Sequence, residues 1–172
     1  MLELLIALAI SAILLGLAVP SMQSFMGDSE ISSTSNEFVY SLQTARSEAI
    51  KRAGPVGVCP STAPLVDEPA CGGTDYTNGW IVFFDQNGNG SRDAADQIIL
   101  QTGERAAAFT ITPDSMFTER IYFGESGTSV NPAGIPLSGN IRIDFAGSAR
   151  RDISIAGNGR ITTVDPDATG DL

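Results

Sequence analysis

Histidine is absent from this chain of 172 residues. Lysine occurs once, at Lys51, and cysteine only at Cys59 and Cys71. Without histidine there is no commonest general base, no commonest metal ligand and no Ser-His or Cys-His nucleophile pair. No nucleophile motif or phosphate-cradling loop stands in its place, so an enzymatic reading has no site to rest on. Charge is scarce too, at 17% of residues against the usual quarter. It is also one-sided: 10 Lys+Arg face 20 Asp+Glu, for a net charge of -10. A chain of that sign repels a phosphate backbone. Two cysteines without paired spacing cannot fill the tetrahedral shell of a structural zinc.

What the chain does have is one long apolar run, at its front. From Leu4 to Val19 every residue is apolar or small, and Pro20 follows. The run is slightly shorter than the ~20 residues of a membrane span. Met1, Leu2 and the continuation through Met22 and Phe25 extend it far enough. A cleavable signal peptide would carry a basic n-region and a small-residue cleavage site. Neither is present, and the helical pattern continues instead. Glu3 stands at the head of this run, where a carboxylate costs about 2.5–3.5 kcal/mol at mid-bilayer and less near the interface. Such an acid is either a functional group awaiting a cationic partner or a residue left at the water boundary. Gly16 and Pro20 bracket a weak stretch, since proline removes a backbone bond and glycine lowers helix propensity by about 1 kcal/mol. The stretch around Gly16 to Pro20 is therefore expected to be a weak point of the helix, either a modest kink or, once assembled, a loss of helicity.

After Pro20 the pattern becomes amphipathic. Ile31, Phe38, Leu42, Ala45 and Ala49 recur at helical spacing, while Glu30, Glu37, Gln43, Glu48 and Lys51 occupy other faces. Arg46, Lys51 and Arg52 complement the dipole at the helix end, and Gly54-Pro55 stops it. Short strand-like runs follow: Val56 to Val58, Trp80 to Phe84, Gln97 to Gln101, Phe109 to Thr112, Ile121 to Phe123, Ile141 to Phe145, Asp152 to Ile155 and Arg160 to Val164. Ile141, Ile143 and Phe145 alternate with Arg142 and Asp144, the mark of a half-buried strand. Gly157-Asn158-Gly159 between two such runs is a hairpin signal. These elements predict an α+β fold: a long N-terminal helix on two antiparallel sheets, or on one sheet wrapped around it. Residues 1–27 form the membrane or core segment. Residues 28–172 form the globular part, with helix 28–53 and β domain 54–172. The acidic tail from Val164 to Leu172 is expected to be mobile.

Met1-Leu2-Glu3-Leu4-Leu5-Ile6-Ala7-Leu8-Ala9-Ile10, with Pro20 seventeen residues after the acid, resembles the N-terminus of type IV pilins and type II secretion pseudopilins. Three further segments resemble the GspH/FimT group of minor pilins and pseudopilins: Ala45 to Arg52, Asn78 to Asp85 with Asn87-Gly88-Asn89-Gly90 and Asp93, and Ala156 to Ile161. The resemblance implies that Glu3 docks onto the N-terminal amine of a neighbouring subunit as helices pack in a filament core. It also implies two residues, Phe-Thr, and a short basic leader before this point, so Met1 is expected to stand inside the mature start. The chain it implies is a structural subunit of a pilus-like or pseudopilus filament, alone or mixed with other pilins. It is made in the bacterial inner membrane among lipid, processed by a prepilin peptidase and handled by an inner-membrane assembly platform. It then passes to a periplasmic or extracellular filament.

Three local expectations remain. Export places Cys59 and Cys71 in an oxidising compartment, where a disulfide is expected to stabilise the fold by roughly 3 kcal/mol. Asp85, Asn87, Asn89, Asp93 and Asp96 echo the oxygen spacing of a calcium loop, although Asp96 replaces the bidentate Glu and no helices flank it. The same Asn-Gly pairs also suit a bare hairpin turn. Calcium aside, no cofactor is expected. Some FimT-like pilins of competence systems bind DNA through a Gly-Arg-x-Arg segment. Here Gly159-Arg160-Ile161-Thr162 lacks the second arginine. Arg142, Arg150, Arg151 and Arg160 could still gather into a basic patch, against the sign of the whole chain.

Overall fold

The computed structural model describes residues 2–106, 108–145 and 149–164; at the front it describes the backbone but not the side chains of 2, 5 and 8–26. The expected tail from 165 onward lies outside the described residues. The first element, α1, runs from Leu2 to Arg52 without a break. The single chain is thus helical through Gly16 and Pro20, and the loss of helicity there stays an expectation for the assembled state. Proline deletes one N–H from the ladder, and the turns on either side keep theirs. Among the described residues no helix is long and apolar enough to cross a membrane. Most side chains of the Leu4–Val19 run lie outside them, so the spanning expectation rests on sequence.

The helix ends in a way the sequence does not signal. Gly54 does not take the left-handed position; Ala53 does, with φ 48°. The Gly54 N–H reaches the Ala49 carbonyl at 3.2 Å and the Ala53 N–H the Ile50 carbonyl at 3.3 Å, which is a Schellman closure. Gly54 is required for a different reason: a Cβ there would sit 2.8 Å from the Phe84 ring.

Nine strands follow among the described residues: β1 Val56–Pro60, β2 Trp80–Phe84, β3 Gln97–Thr102, β4 Phe109–Pro113, β5 Ile121–Phe123, β6 Ser129–Val130, β7 Gly139–Phe145, β8 Ala149–Ile155 and β9 Ile161–Val164. They form two antiparallel sheets, one ordered β3-β2-β1-β5-β6 and the other β4-β7-β8-β9. The Gly157-Asn158-Gly159 signal is the β8–β9 turn, with Ile155 opposite Ile161.

The stripe of α1 lies against both sheets. Ile31, Phe38, Leu42, Ala45 and Ala49 are buried with Val56, Val58 and Val82 of one sheet and Ile141, Ile143 and Ile153 of the other. Phe38 meets Tyr76 and Trp80 edge-on, at ring separations of 5.2 and 4.9 Å. The Trp80 indole N–H donates to the Ser41 hydroxyl at 2.9 Å, so its polar atom is satisfied inside the core. The first sheet is buried on its other face as well, by Cys59, Ile81, Phe83 and Tyr122. That explains why β1 and β2 read as unbroken apolar runs, while β7 alternates.

Candidate functional site

Glu3 sits in the first turn of α1, exposed, with Leu4 and Ile6 exposed beside it at 66% and 52%. The rear of the same helix is consumed by its own domain. α1 thus presents apolar groups at one end that nothing among the described residues of this chain covers. Gly16 and Pro20 lie between the two regions, on helical backbone.

Cys59 on β1 and Cys71 in the following loop are joined, with Cα atoms 5.6 Å apart. The loop they close is tied down elsewhere too. Gln101 Nε2 donates to the Val66 carbonyl at 2.9 Å, and Arg92 pairs with Glu68 at 2.8 Å. Leu65 remains exposed at its tip.

The loop from Asp85 to Asp96 is organised around one buried carboxylate. Asp85 Oδ1 accepts the N–H groups of Gly88 and Asn89, and Oδ2 accepts the Gly90 N–H at 2.8 Å and the Tyr122 hydroxyl at 3.0 Å. Asp96 accepts the N–H groups of Gln86 and Asp93. Asp93 accepts the side-chain amides of Asn87 and Asn89 and the Ala95 N–H. The Ala95 bond, then that of Asn87, draws the Asp93 carboxyl below its usual range. Burial, then the facing Asp85 charge, raises the Tyr122 phenol well above its ordinary value. Tyr76, sealed in the core with its hydroxyl on the Phe117 carbonyl at 3.2 Å, is raised by burial as well.

The five residues expected to hold calcium thus spend their oxygens on the loop's own donors. Among the described residues no group of three acidic, His or Cys side chains is placed to hold a metal ion. The bonds of this loop are those of the bare hairpin turn, the second reading of the same residues, and calcium stays an expectation from their spacing alone. Oxygens at alternate positions suit either a cation or a run of N–H groups, and sequence spacing alone does not separate the two.

The four arginines do not gather. Arg142 and Arg150 lie on the outer face of the second sheet and share one partner, Asp152, at 3.4 and 2.8 Å. Arg151 falls on the opposite face of β8 by strand alternation. Arg160 is exposed in the turn before β9, where its N–H bonds the Asn158 side chain. The groove beside Arg142, of about 630 Å³, is lined by Asp114, Asp144 and Asp152 as well. One guanidinium among three carboxylates is no phosphate site. The fold splits the four: Arg142 and Arg150 share Asp152 on the outer face, while Arg151 and Arg160 lie elsewhere.

Two arrangements have almost no local signature in the sequence. Arg46 reaches from α1 to the Gly127 carbonyl at 3.0 Å and toward the Asn158 carbonyl at 3.5 Å, fastening the helix to two turns. At Gly159 the backbone has φ 77° and a Cβ would collide with the Gly127 carbonyl oxygen, so the same knot dictates glycine there. Arg105 pairs with Glu37 at 2.7 Å and stands over the Trp80 ring at 5.3 Å. The signal for them is thin: an arginine on the flank of the buried stripe, and a lone arginine in a loop.

Residues 34–159 match the family described as type II transport protein GspH. That range starts beyond the apolar front and ends in the β8–β9 turn. Among solved structures, the chain is similar to the type IV minor pilin FimU of Pseudomonas aeruginosa in two crystal forms. One is 26% identical, covers 84% of this chain and 95% of that one, and has a TM-score of 0.57. The second is 22% identical, covers 80% and 94%, and has a TM-score of 0.54, a likeness of fold. No curated protein matches the sequence.

Proposed function

The chain belongs to the type II transport protein GspH family and is a pilin-class structural subunit, and from that premise we propose that it polymerises through its N-terminal helix. The filament is a type IV pilus-like fibre or a type II secretion pseudopilus. Residues 1–27 are the segment that lies first in the bacterial inner membrane and then in the filament core. Residues 28–172 are the folded unit it carries. The observation that supports this is the division of α1: its rear face is buried by its own domain, while Leu4 and Ile6 stay exposed at the front. Neighbouring helices replace lipid around these side chains, so the gain on leaving the membrane is close packing, and the bundle then keeps each one out of water, worth about 1.5–3 kcal/mol. That favours extraction from lipid only when many are buried together along the run.

Glu3 then supplies register. Its carboxylate is costly in an apolar bundle unless a cation meets it, and the N-terminal amine of a neighbouring copy is the cation at the same depth. The partners are copies of this chain or other pilins, with lipid, a prepilin peptidase and an inner-membrane assembly platform before assembly. The Gly16–Pro20 stretch, helical in the single chain, is the place where the polymer would stretch. No catalytic role is assigned. Nucleic-acid capture is the weaker alternative, with net charge -10 and the outer arginines bound to Asp152.

The test is Glu3→Ala in the full chain, scored for filament incorporation. Assembly should be abolished or sharply reduced, with the melting of the folded domain unchanged. Normal incorporation of the variant contradicts the role given to Glu3.

A further inference from the structure

A sheet ends where its outer strand finds no neighbour, and among the described residues this domain has four outer strands: β3 and β6 in one sheet, β4 and β9 in the other. Two of these edges are closed. Against β4, the Tyr76 N–H reaches the Ile111 carbonyl at 3.0 Å and the Thr77 hydroxyl takes the Ile111 N–H at 3.0 Å. The chain after β6 folds back on it, with the Leu137 N–H on the Ser129 carbonyl at 2.9 Å. The other two edges are open. Among the described residues, no backbone N–H or C=O of β3 or β9 bonds outward, away from β2 and β8.

Both open edges carry sequence suited to pairing. Gln97-Ile98-Ile99-Leu100-Gln101-Thr102 and Ile161-Thr162-Thr163-Val164 hold no charge and no proline. Natural edges commonly use lysine, proline or an inward charge to prevent strand addition. One device is present: a bulge where β3 pairs with β2 between Val82 and Phe83, which twists the strand without charging it. The disulfide loop touches the end of β3 through Gln101.

We propose that the β3 edge of one copy pairs with the β9 edge of the next copy in the polymer. The occupant follows from the symmetry of the two edges. They are two different surfaces, so joining them is heterologous: every addition leaves one free edge of each kind, and with a rotation between copies that closes no ring, as in a filament, the array keeps growing. Pairing β3 with β3, or β9 with β9, would stop at a dimer. This proposal rests on the filament reading and adds to it a second, hydrogen-bonded seam outside the helical core.

The test is amide hydrogen exchange on the full chain, compared between detergent-held monomer and assembled polymer. The outward-facing amides of β3 and β9 should slow by about tenfold or more on assembly, while the bonded amide of Ile111 stays as it was. A second measurement places Gln97→Cys and Thr163→Cys, both at exposed positions, singly and together, with the native cysteines held in their own bond. A short thiol-reactive crosslinker should give a ladder from the double variant and monomer from either single one. Dimers from a single variant, or filaments whose β3 and β9 amides exchange as in the monomer, overturn edge pairing and leave the filament reading standing. A chain that never polymerises overturns both.

Discussion

The two regions of α1 are one continuous helix but answer to different physics. From Ile31 to Ala49 an apolar stripe is fully used by the chain's own sheets, and its polar flanks make specific bonds through Ser41, Glu37 and Arg46. At the front, Leu4 and Ile6 are exposed, and Glu3 stands in the first turn without a use among the described residues. The rear is a folding element whose worth is measured as stability. The front is an assembly element whose worth is invisible in a single chain. Substitutions in the two regions should therefore move different readouts, and the contrast fails if they do not.

The largest effect is expected from Phe38→Ala, which removes the ring that Tyr76 and Trp80 meet edge-on. It should cost about 3–5 kcal/mol of domain stability, read from Trp80 emission during denaturation in detergent. Leu4→Ala, exposed in the single chain, should leave that curve in place and reduce filament yield. Equal losses of stability from the two would erase the distinction.

Next in size is the disulfide. Cys71→Ser should lower domain stability by roughly 3 kcal/mol, because the loop from Cys59 is released in the unfolded chain. Helix content at the front, followed by far-ultraviolet dichroism, should persist in lipid after the Trp80 signal has been lost. Loss of both signals together would mean that the front depends on the domain for its helicity.

Alkali should act on the domain alone. Tyr76 and Tyr122 hold their protons more tightly folded than unfolded, so their contribution is complete below the ordinary tyrosine value of 10.0 and falls as pH rises above it. The melting temperature should drop above that pH, and Tyr122→Phe should flatten part of the drop. An unchanged slope in that variant would remove Tyr122 from the account. The smallest effect belongs to the junction: Ala53→Gly relieves a left-handed alanine and should add about 0.5–1 kcal/mol. A loss of stability there would show that the left-handed φ at Ala53 is not the strain it is taken to be.

Much of this architecture is legible in the amino-acid order alone. The buried stripe follows from its spacing, and so do eight of the strands, because apolar periodicity is the local trace of a shared core. Ser129–Val130 escapes such a reading, since two residues carry no period. Gly54-Pro55 marks the end of the helix, but the left-handed residue is Ala53, and the glycine at 54 answers to the Phe84 ring. Asp85 and its loop are legible as an oxygen-rich turn, but what those oxygens accept depends on where Tyr122 and three N–H groups arrive in space. Counting arginines suggests a patch, and the pairing of β7 with β8 sets Asp152 between two of them. The knot of Arg46, Gly127 and Gly159 joins segments far apart in sequence, and nothing local announces it.

The account stands most directly on what the purified assemblies look like. Imaged at subunit resolution, filaments carrying this chain should show its front helix in the central bundle, with the β domain outward and the carboxylate of Glu3 against a neighbour's amino terminus. Helices lying outside the core, or a chain recovered solely as monomer from cells that make the whole assembly machinery, would contradict it.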